Sequence, residues 1–262
     1  MSEQADAIGD LRDAGVLDGL SWSGWSSYRG VMQDYRPAAG HDQGWIGYTG
    51  HKLMLNRLDR VFSCEGFAVD ESGPVLGSDL VQEGISEIEY RSMPELRPGK
   101  VVRDNLNGSP GWRCGRWRWL MSSATFGRVE EMDWRKARPT KRSVAAQPFL
   151  DGPDLFTFAK EYDPVVAAWR ALHRSNDTQT LMLMHTVDPD TGVFEGFLGR
   201  PRLWVEPDEQ SWHWIARLDD WNPGRPGRGY DTTLAPDSTQ LKPVSDAPVR
   251  LRKDSQQQKK KP

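Results

Sequence analysis

The stretch that most constrains this chain is residues 154–221, where an amphipathic helical pattern runs directly into three strand-like segments. Leu155, Phe158, Ala159, Tyr162, Val165, Val166, Trp169 and Leu172 recur at three- and four-residue spacing, which puts them on one face of a helix. Asp154 stands where an N-cap belongs, and Arg170, His173 and Arg174 fall in the last turn, where cations suit the dipole. Pro164 predicts a kink. The pattern therefore predicts a helix over 154–175, followed by strands over 180–187, 193–205 and 211–221. Between the first two strands, Asp188-Pro189-Asp190-Thr191-Gly192 reads as a hairpin loop with glycine at its left-handed position. Gly199-Arg200-Pro201-Arg202 interrupts the second strand, and proline cannot donate to a ladder, so an edge position or a bulge is expected there.

Upstream, residues 6–20 predict a short helix weakened by Gly9, Gly15 and Gly19. Residues 21–50 intersperse Trp22, Trp25, Tyr28, Tyr35, Trp45 and Tyr48 with six glycines. That is too aromatic for a free linker and too broken for a regular element, so the expectation is a loop laid on another surface. Strands are expected from Val61 toward residue 69 and over 84–93. A longer one is expected over 112–126, where Trp117, Trp119 and Met121 alternate with Arg116 and Arg118. Residues 127–153 read as a long exposed connection, with Arg135, Lys136, Arg138, Lys141 and Arg142 as a candidate interaction arm. The fold class that follows is α+β, β-dominated, with a mainly antiparallel sheet packed on one central helix. Its parts are an acidic, then Trp/Gly-rich segment (1–50), a β-rich globular domain (51–234) and a disordered basic tail (235–262).

Chemical motifs are sparse. No phosphate-cradling glycine loop sits at a strand-to-helix junction, and no G-x-S-x-G occurs. His41, His51, His173, His185 and His213 are scattered, and Cys64 and Cys114 form no CxxC, so neither a metal nor a cofactor is expected. Glu87/Glu89, Glu130/Glu131 and Asp219/Asp220 read as solvated faces before they read as acid/base pairs. No enzyme is expected. The compositional outlier is twelve tryptophans among 262 residues. Core or subunit contact outranks a stacking platform built from Trp22, Trp25, Trp45, Trp112 and Trp117. The net charge of −3 hides an acidic start and a basic end. With a pI near 6.0 and no aromatics interleaved in either basic stretch, nucleic acid ranks behind solvated arms. No run of eighteen apolar residues and no secretory leader pattern occur, so no membrane partner is expected and synthesis in the cytoplasm is.

From residue 112 to 221, the order strand, long loop, helix, hairpin, strand resembles the belt domain of distal tail or minor tail proteins of tailed bacteriophages. The similarity lies in the helix end at Trp169 and Leu172, the turn at 190–192, the Gly199-Arg200-Pro201-Arg202 segment and an aromatic strand closing before 219–223. The first fifty residues and the lysine tail have no counterpart in it. The resemblance implies a structural assembly protein of the virion, a β-rich homo-oligomeric ring subunit contacting other tail proteins, without catalysis or cofactor. Trp204, Trp212 and Trp214 would be its interface residues. The alternative is a cytoplasmic carbohydrate- or nucleic-acid-binding module that uses exposed tryptophans and the basic arms.

Overall fold

Helices occupy the glycine-rich part of the chain. In a computed structural model that describes residues 2–68, 78–149, 178–203 and 210–218, Ser2 caps α1 (Glu3–Asp13) by accepting from the Ala5 amide. Gly15, at a φ of 72°, turns the chain into α2 (Val16–Asp34). Asp42 caps α3 (Gln43–Val61), accepting from the Trp45 amide at 2.8 Å. The expected loop over 21–50 is thus corrected to two helices and their connection. Each glycine inside a helix costs about 1 kcal/mol against alanine, and here close packing offsets it. A Cβ on Gly19 would stand 2.7 Å from Phe62, one on Gly50 2.8 Å from Tyr28, and one on Gly24 would overlap the Phe194 ring. Buried Val16, Leu17, Leu20, Gly24, Ser27, Tyr28 and Val31 recur at helical spacing along α2.

Two further expectations fail for local reasons. The strand expected from Val61 is the end of α3 and a 3-10 turn, Glu65–Phe67. The strand expected over 84–93 contains α5 (Glu87–Ser92), which follows the short α4 (Ser78–Gln82). Ser86 and Glu89 form a reciprocal capping box there, a helix-start signature that outweighs the three apolar residues behind the expected strand, Ile85, Ile88 and Tyr90.

The remaining elements form one six-stranded sheet in the order β1 (Val102–Arg103), β2 (Gly111–Cys114), β3 (Trp117–Ser123), β4 (Gln179–Val187), β5 (Phe194–Pro201), β6 (Trp212–Arg217). The alternating segment expected as one strand is the β2/β3 hairpin, turning at Gly115 with a φ of 56°. Neighbours are antiparallel except β3 and β4, which run parallel. A parallel pair needs a crossover, and this one includes α6 (Pro139–Ala145) and the 3-10 turns Val129–Glu131 and Trp134–Lys136. The expected long loop is therefore partly helical. The β4/β5 hairpin closes as expected, with Gly192 at a φ of 71° and Asp188 accepting from the Thr191 hydroxyl at 2.6 Å. The proline in β5 marks a register shift between Arg200 and Pro201, a bulge in an interior strand.

The helical layer is also different from expectation. α1, α2 and α3 cover one sheet face, where Leu11, Leu17, Leu20, Leu58 and Phe62 share a core with Trp112, Trp119, Leu181, Leu183, Leu198 and Trp214. Opposite them, Leu120, Met182, Met184 and Trp212 pack with Val129, Trp134 and Val144. β4 is buried on both faces from Thr180 to Val187, the pattern of a strand covered on two sides. The class is α+β with a mixed, mostly antiparallel sheet. The helix expected over 154–175, Trp204 and the residues from 219 on, which include the tail expected over 235–262, lie outside the described residues. Among the described residues no helix is long and apolar enough to cross a membrane.

Gly24→Ala should lower the unfolding free energy in urea by about 1–3 kcal/mol through overpacking, and Phe194→Leu in the same chain should recover part of it. Gly47→Ala, where a Cβ would meet nothing within 4 Å, should be neutral or stabilising. Equal losses at the two glycines would refute the close approach of α2 to β5.

Candidate functional site

Two buried polar clusters flank α2, and their chemistry differs. In the first, the Glu89 carboxylate accepts from the Ser26 and Ser86 hydroxyls, each at 2.5 Å, and lies 3.7 Å from the Arg57 guanidinium. Arg57 also donates to Ser26 Oγ and to the carbonyl of Gly84, while Arg60 donates to the carbonyls of Leu80, Val81 and Glu83. Burial pulls the Arg60 guanidinium down to about 10, with the neighbouring Arg57 charge adding to it. These contacts clamp α4 and α5 onto α3, and charge is balanced by charge or by carbonyl oxygens. The cluster is structural.

The second lies at the carboxyl end of the parallel pair, the end where α/β sheets place their ligand crevices. Parallel register sets Ser122 beside Met184 and Ser123 beside His185. α2 brings Tyr28, whose hydroxyl is 2.8 Å from His185 Nδ1. α3 brings His51, its ring 5.8 Å from that of His185 and tilted by 30°. α6 brings Lys141, whose ammonium donates to Ser122 Oγ at 2.7 Å. His185 is fully buried and its Nε2 has no hydrogen-bond partner among the described residues.

The electrostatics are one-sided. Burial pushes His185 down to about 3, helped by the positive fields of His51 and Lys141. Burial also lowers His51, followed by the charges of Lys141, Lys52 and Arg138. Lys141 is pushed down to about 8 by burial and by Arg138. The charges that perturb His51 and Lys141 are all cations. Gathering like charges without a carboxylate among them destabilises the free protein and favours an anion.

Beside this cluster α3 exposes Tyr48, at 69% the most open large hydrophobic side chain among the described residues, with the Lys52 ammonium 5.7 Å from its ring centroid. One turn earlier Trp45 stacks on His41 with centroids 4.1 Å apart and planes within 8°. Trp45, Tyr48 and Lys52 follow at helical spacing, so one stripe of α3 carries aromatic, aromatic and basic side chains.

The residues singled out from sequence fall differently. Trp212 is buried edge-on to Trp134 and donates to the Val129 carbonyl, and Trp214 is buried and donates to the Glu3 carboxylate. Both indoles lie within the chain's own core, which corrects their expected exposure to a neighbouring subunit. Of the candidate platform tryptophans, Trp22, Trp112 and Trp117 are buried and only Trp25 and Trp45 are partly exposed. The basic arm is ordered: Arg135 and Lys136 pair with Asp133, Lys141 turns inward to Ser122, and Arg138 and Arg142 stay at the surface. His51, His185 and Tyr28 carried no sequence signal, because sheet register and helix packing bring them together from three elements. Cys64 and Cys114 are free and buried. Among the described residues no three His, Cys, Asp or Glu side chains are grouped to hold a metal ion.

Comparison with protein-family models, with curated proteins and with solved structures finds no match to the chain.

His185 supplies a pH test. An unfolded histidine takes up its proton near 6.5 and the folded one only near 3, so the unfolded state binds more protons between those values. The stability is fully present above pH 6.5 and is lost as pH falls toward 3, approaching ~1.4 kcal/mol per pH unit. Urea titrations from pH 7 to 4 should show that slope. His185→Gln should lower the plateau and flatten the dependence, and an unchanged slope in this variant would exclude His185 as its source.

Proposed function

We propose that the chain is a binding protein for single-stranded nucleic acid, using the exposed stripe of α3 around Tyr48. The observation that carries this reading is the exposed Tyr48 ring on α3 with the Lys52 ammonium 5.7 Å from its centroid, where the charges of Arg138 and Lys141 add a positive field at the neighbouring His51. Single-stranded nucleic acids are held by a basic track along the phosphates together with aromatic rings on which bases stack, and neither half suffices alone. The overall charge of −3 makes the basic track a local feature, which favours a defined footprint over general adhesion. Trp45 extends the stacking stripe and Arg142 the basic edge. The reading assigns no covalent chemistry to the site.

A second reading, the assembly subunit of a phage tail, draws its support from the strand order β3 to β6. It would need a contact surface other than the indoles of Trp212 and Trp214. Sedimentation over a wide concentration range separates the two readings. A discrete ring-sized oligomer would favour the tail subunit, and a monomer that binds oligonucleotide would favour the first.

Fluorescence anisotropy with a labelled oligothymidylate should show log K falling with log salt at a slope of roughly −2 to −3, as expected for three or four phosphates neutralised on a single strand. Lys52→Ala and Arg138→Ala should each bring the slope nearer zero by about 0.7. Tyr48→Ala should weaken binding by ~1–3 kcal/mol and leave the slope alone. Absence of retention at low salt would sink the proposal.

A further inference from the structure

A cleft of about 280 Å³ opens between the carboxyl end of α1 and the β2/β3 turn. At ~30 Å³ per molecule it would take roughly nine waters, and it falls just short of the ~300–1,000 Å³ usual for drug-sized ligands. Its natural occupant is therefore a molecule of few heavy atoms. The floor belongs to the core, since Leu11, Cys114 and Trp117 are all buried there. The walls carry opposite charges. Asp10 and Asp13 come from α1, whose carboxyl end adds its own partial negative charge. Lys100 comes from the loop before β1, and Arg116 from the β2/β3 turn.

Two of these four charges are already engaged. The Asp10 carboxylate accepts from the Trp117 indole at 2.8 Å and lies 3.9 Å from the Arg116 guanidinium. Arg116 also lies 3.5 Å from Asp6, and its guanidinium sits over the Trp117 ring, 4.5 Å from the centroid. These contacts fix that part of the cleft in one arrangement before any ligand arrives, which lowers the ordering cost of binding. Asp13 and Lys100 differ, because neither has an ion-pair partner among the described residues. Asp13 also opposes the dipole of its own helix, in whose last turn a cation such as Arg12 is the suited charge. Its carboxylate thus contributes nothing to the fold of α1.

The two walls together define the ligand. An anion drawn to Lys100 would be repelled by Asp10 and Asp13, and a cation drawn to Asp13 would be repelled by Lys100 and Arg116. A molecule that carries both an ammonium and a carboxylate meets an opposite charge at each end. Its uncharged part rests on Leu11 and the Cys114 side chain.

We infer that this cleft is a binding site for a small zwitterion of the free amino acid class, with Asp13 holding its ammonium and Lys100 its carboxylate. Asp10 and Arg116 are positioning residues that set the shape of the walls. Binding makes and breaks no covalent bond. The cleft shares no residue with the stripe of α3 around Tyr48, so this site and the nucleic-acid surface stand or fall separately.

The test titrates the full chain with L-serine, L-proline, L-leucine and γ-aminobutyrate, followed through the backbone amide resonances at neutral pH and constant ionic strength. At least one compound should give saturable shifts confined to residues 10–14, 100 and 114–117, and the preference between the α-amino acids and γ-aminobutyrate reads the charge separation that the cleft spans. The N-acetylated and the carboxamide forms of that compound should each bind about tenfold more weakly, the loss of one charge-assisted hydrogen bond. Asp13→Asn and Lys100→Met, both at exposed positions, should each cost about the same factor, whereas Lys136→Met should cost nothing. Asp13→Asn should leave Tm unchanged or raise it, so that lost binding is not lost fold. Retention of oligothymidylate should be the same in Asp13→Asn as in the parent chain. No saturable shift with any of the four compounds, shifts that lie elsewhere, or blocked forms that bind as well as the parent compound would overturn the site.

Discussion

The distance at which α2 lies from its neighbours is the constraint on which the rest of the structure depends. It is set by missing atoms. Gly19 admits Phe62 from the end of α3, Gly24 admits Phe194 from β5, and Gly50 on α3 admits Tyr28 from α2. Small serines fill the same helix, and three of them satisfy their hydroxyls: Ser21 donates to the Leu218 carbonyl, Ser26 to Glu89 and Ser27 back to the Ser23 carbonyl, while the buried Ser23 hydroxyl has no partner among the described residues. Each bond satisfies a buried hydroxyl that would otherwise be penalised. Side chains of ordinary size at these positions would lift the helix from the sheet, and Tyr28 would no longer reach His185.

Charged residues fasten what glycine brings close. Arg57 and Arg60 reach from α3 to carbonyls after α4, and the Trp22 indole donates to the Glu89 carbonyl of α5. Arg200, almost fully buried in β5, donates to the carbonyls of Thr180 and Pro148 and lies 3.9 Å from Glu3. Glu3 also accepts from Trp214, so the first turn of α1 is tied to β5 and β6. Removing one partner from such a buried pair leaves a charge without water or counter-ion, which is far costlier than the pair is stabilising. The first sixty residues are therefore integral to the core, although their composition resembles that of a loose segment.

The contrast between the two polar clusters on α2 carries the functional argument. Around Glu89, Arg57 and two hydroxyls meet the carboxylate and Arg60 donates to backbone carbonyls. Around His185, the phenol of Tyr28 and the ring of His51 meet the imidazole, whose Nε2 has no partner among the described residues. A folded protein tolerates such an imbalance at a cost in stability, and an imbalance of this kind at the carboxyl end of a parallel strand pair is a feature of binding sites. The neighbouring Tyr48 and Lys52 add a solvent-facing part to a site whose deeper part is sealed.

Sequence by itself determined the features that depend on local chemistry. The Asp188 to Gly192 turn, the strands on either side of it and an interruption at Pro201 follow from backbone preferences that need no distant partner, whereas only the sheet order made that interruption a bulge and not an edge. Ser86 and Glu89 were equally local, since their spacing is a capping box that three apolar residues obscured. Tertiary structure alone decided the helices over 16–34 and 43–61, because intrinsic propensity counts each glycine as a loss and cannot register a ring arriving from Phe62, Phe194 or Tyr28. It also decided the candidate site. Tyr28, His51 and His185 come from three elements, and only the packing of α2 and α3 on the β4 face that carries His185 brings them together, whereas Lys141 meets Ser122 on the opposite face.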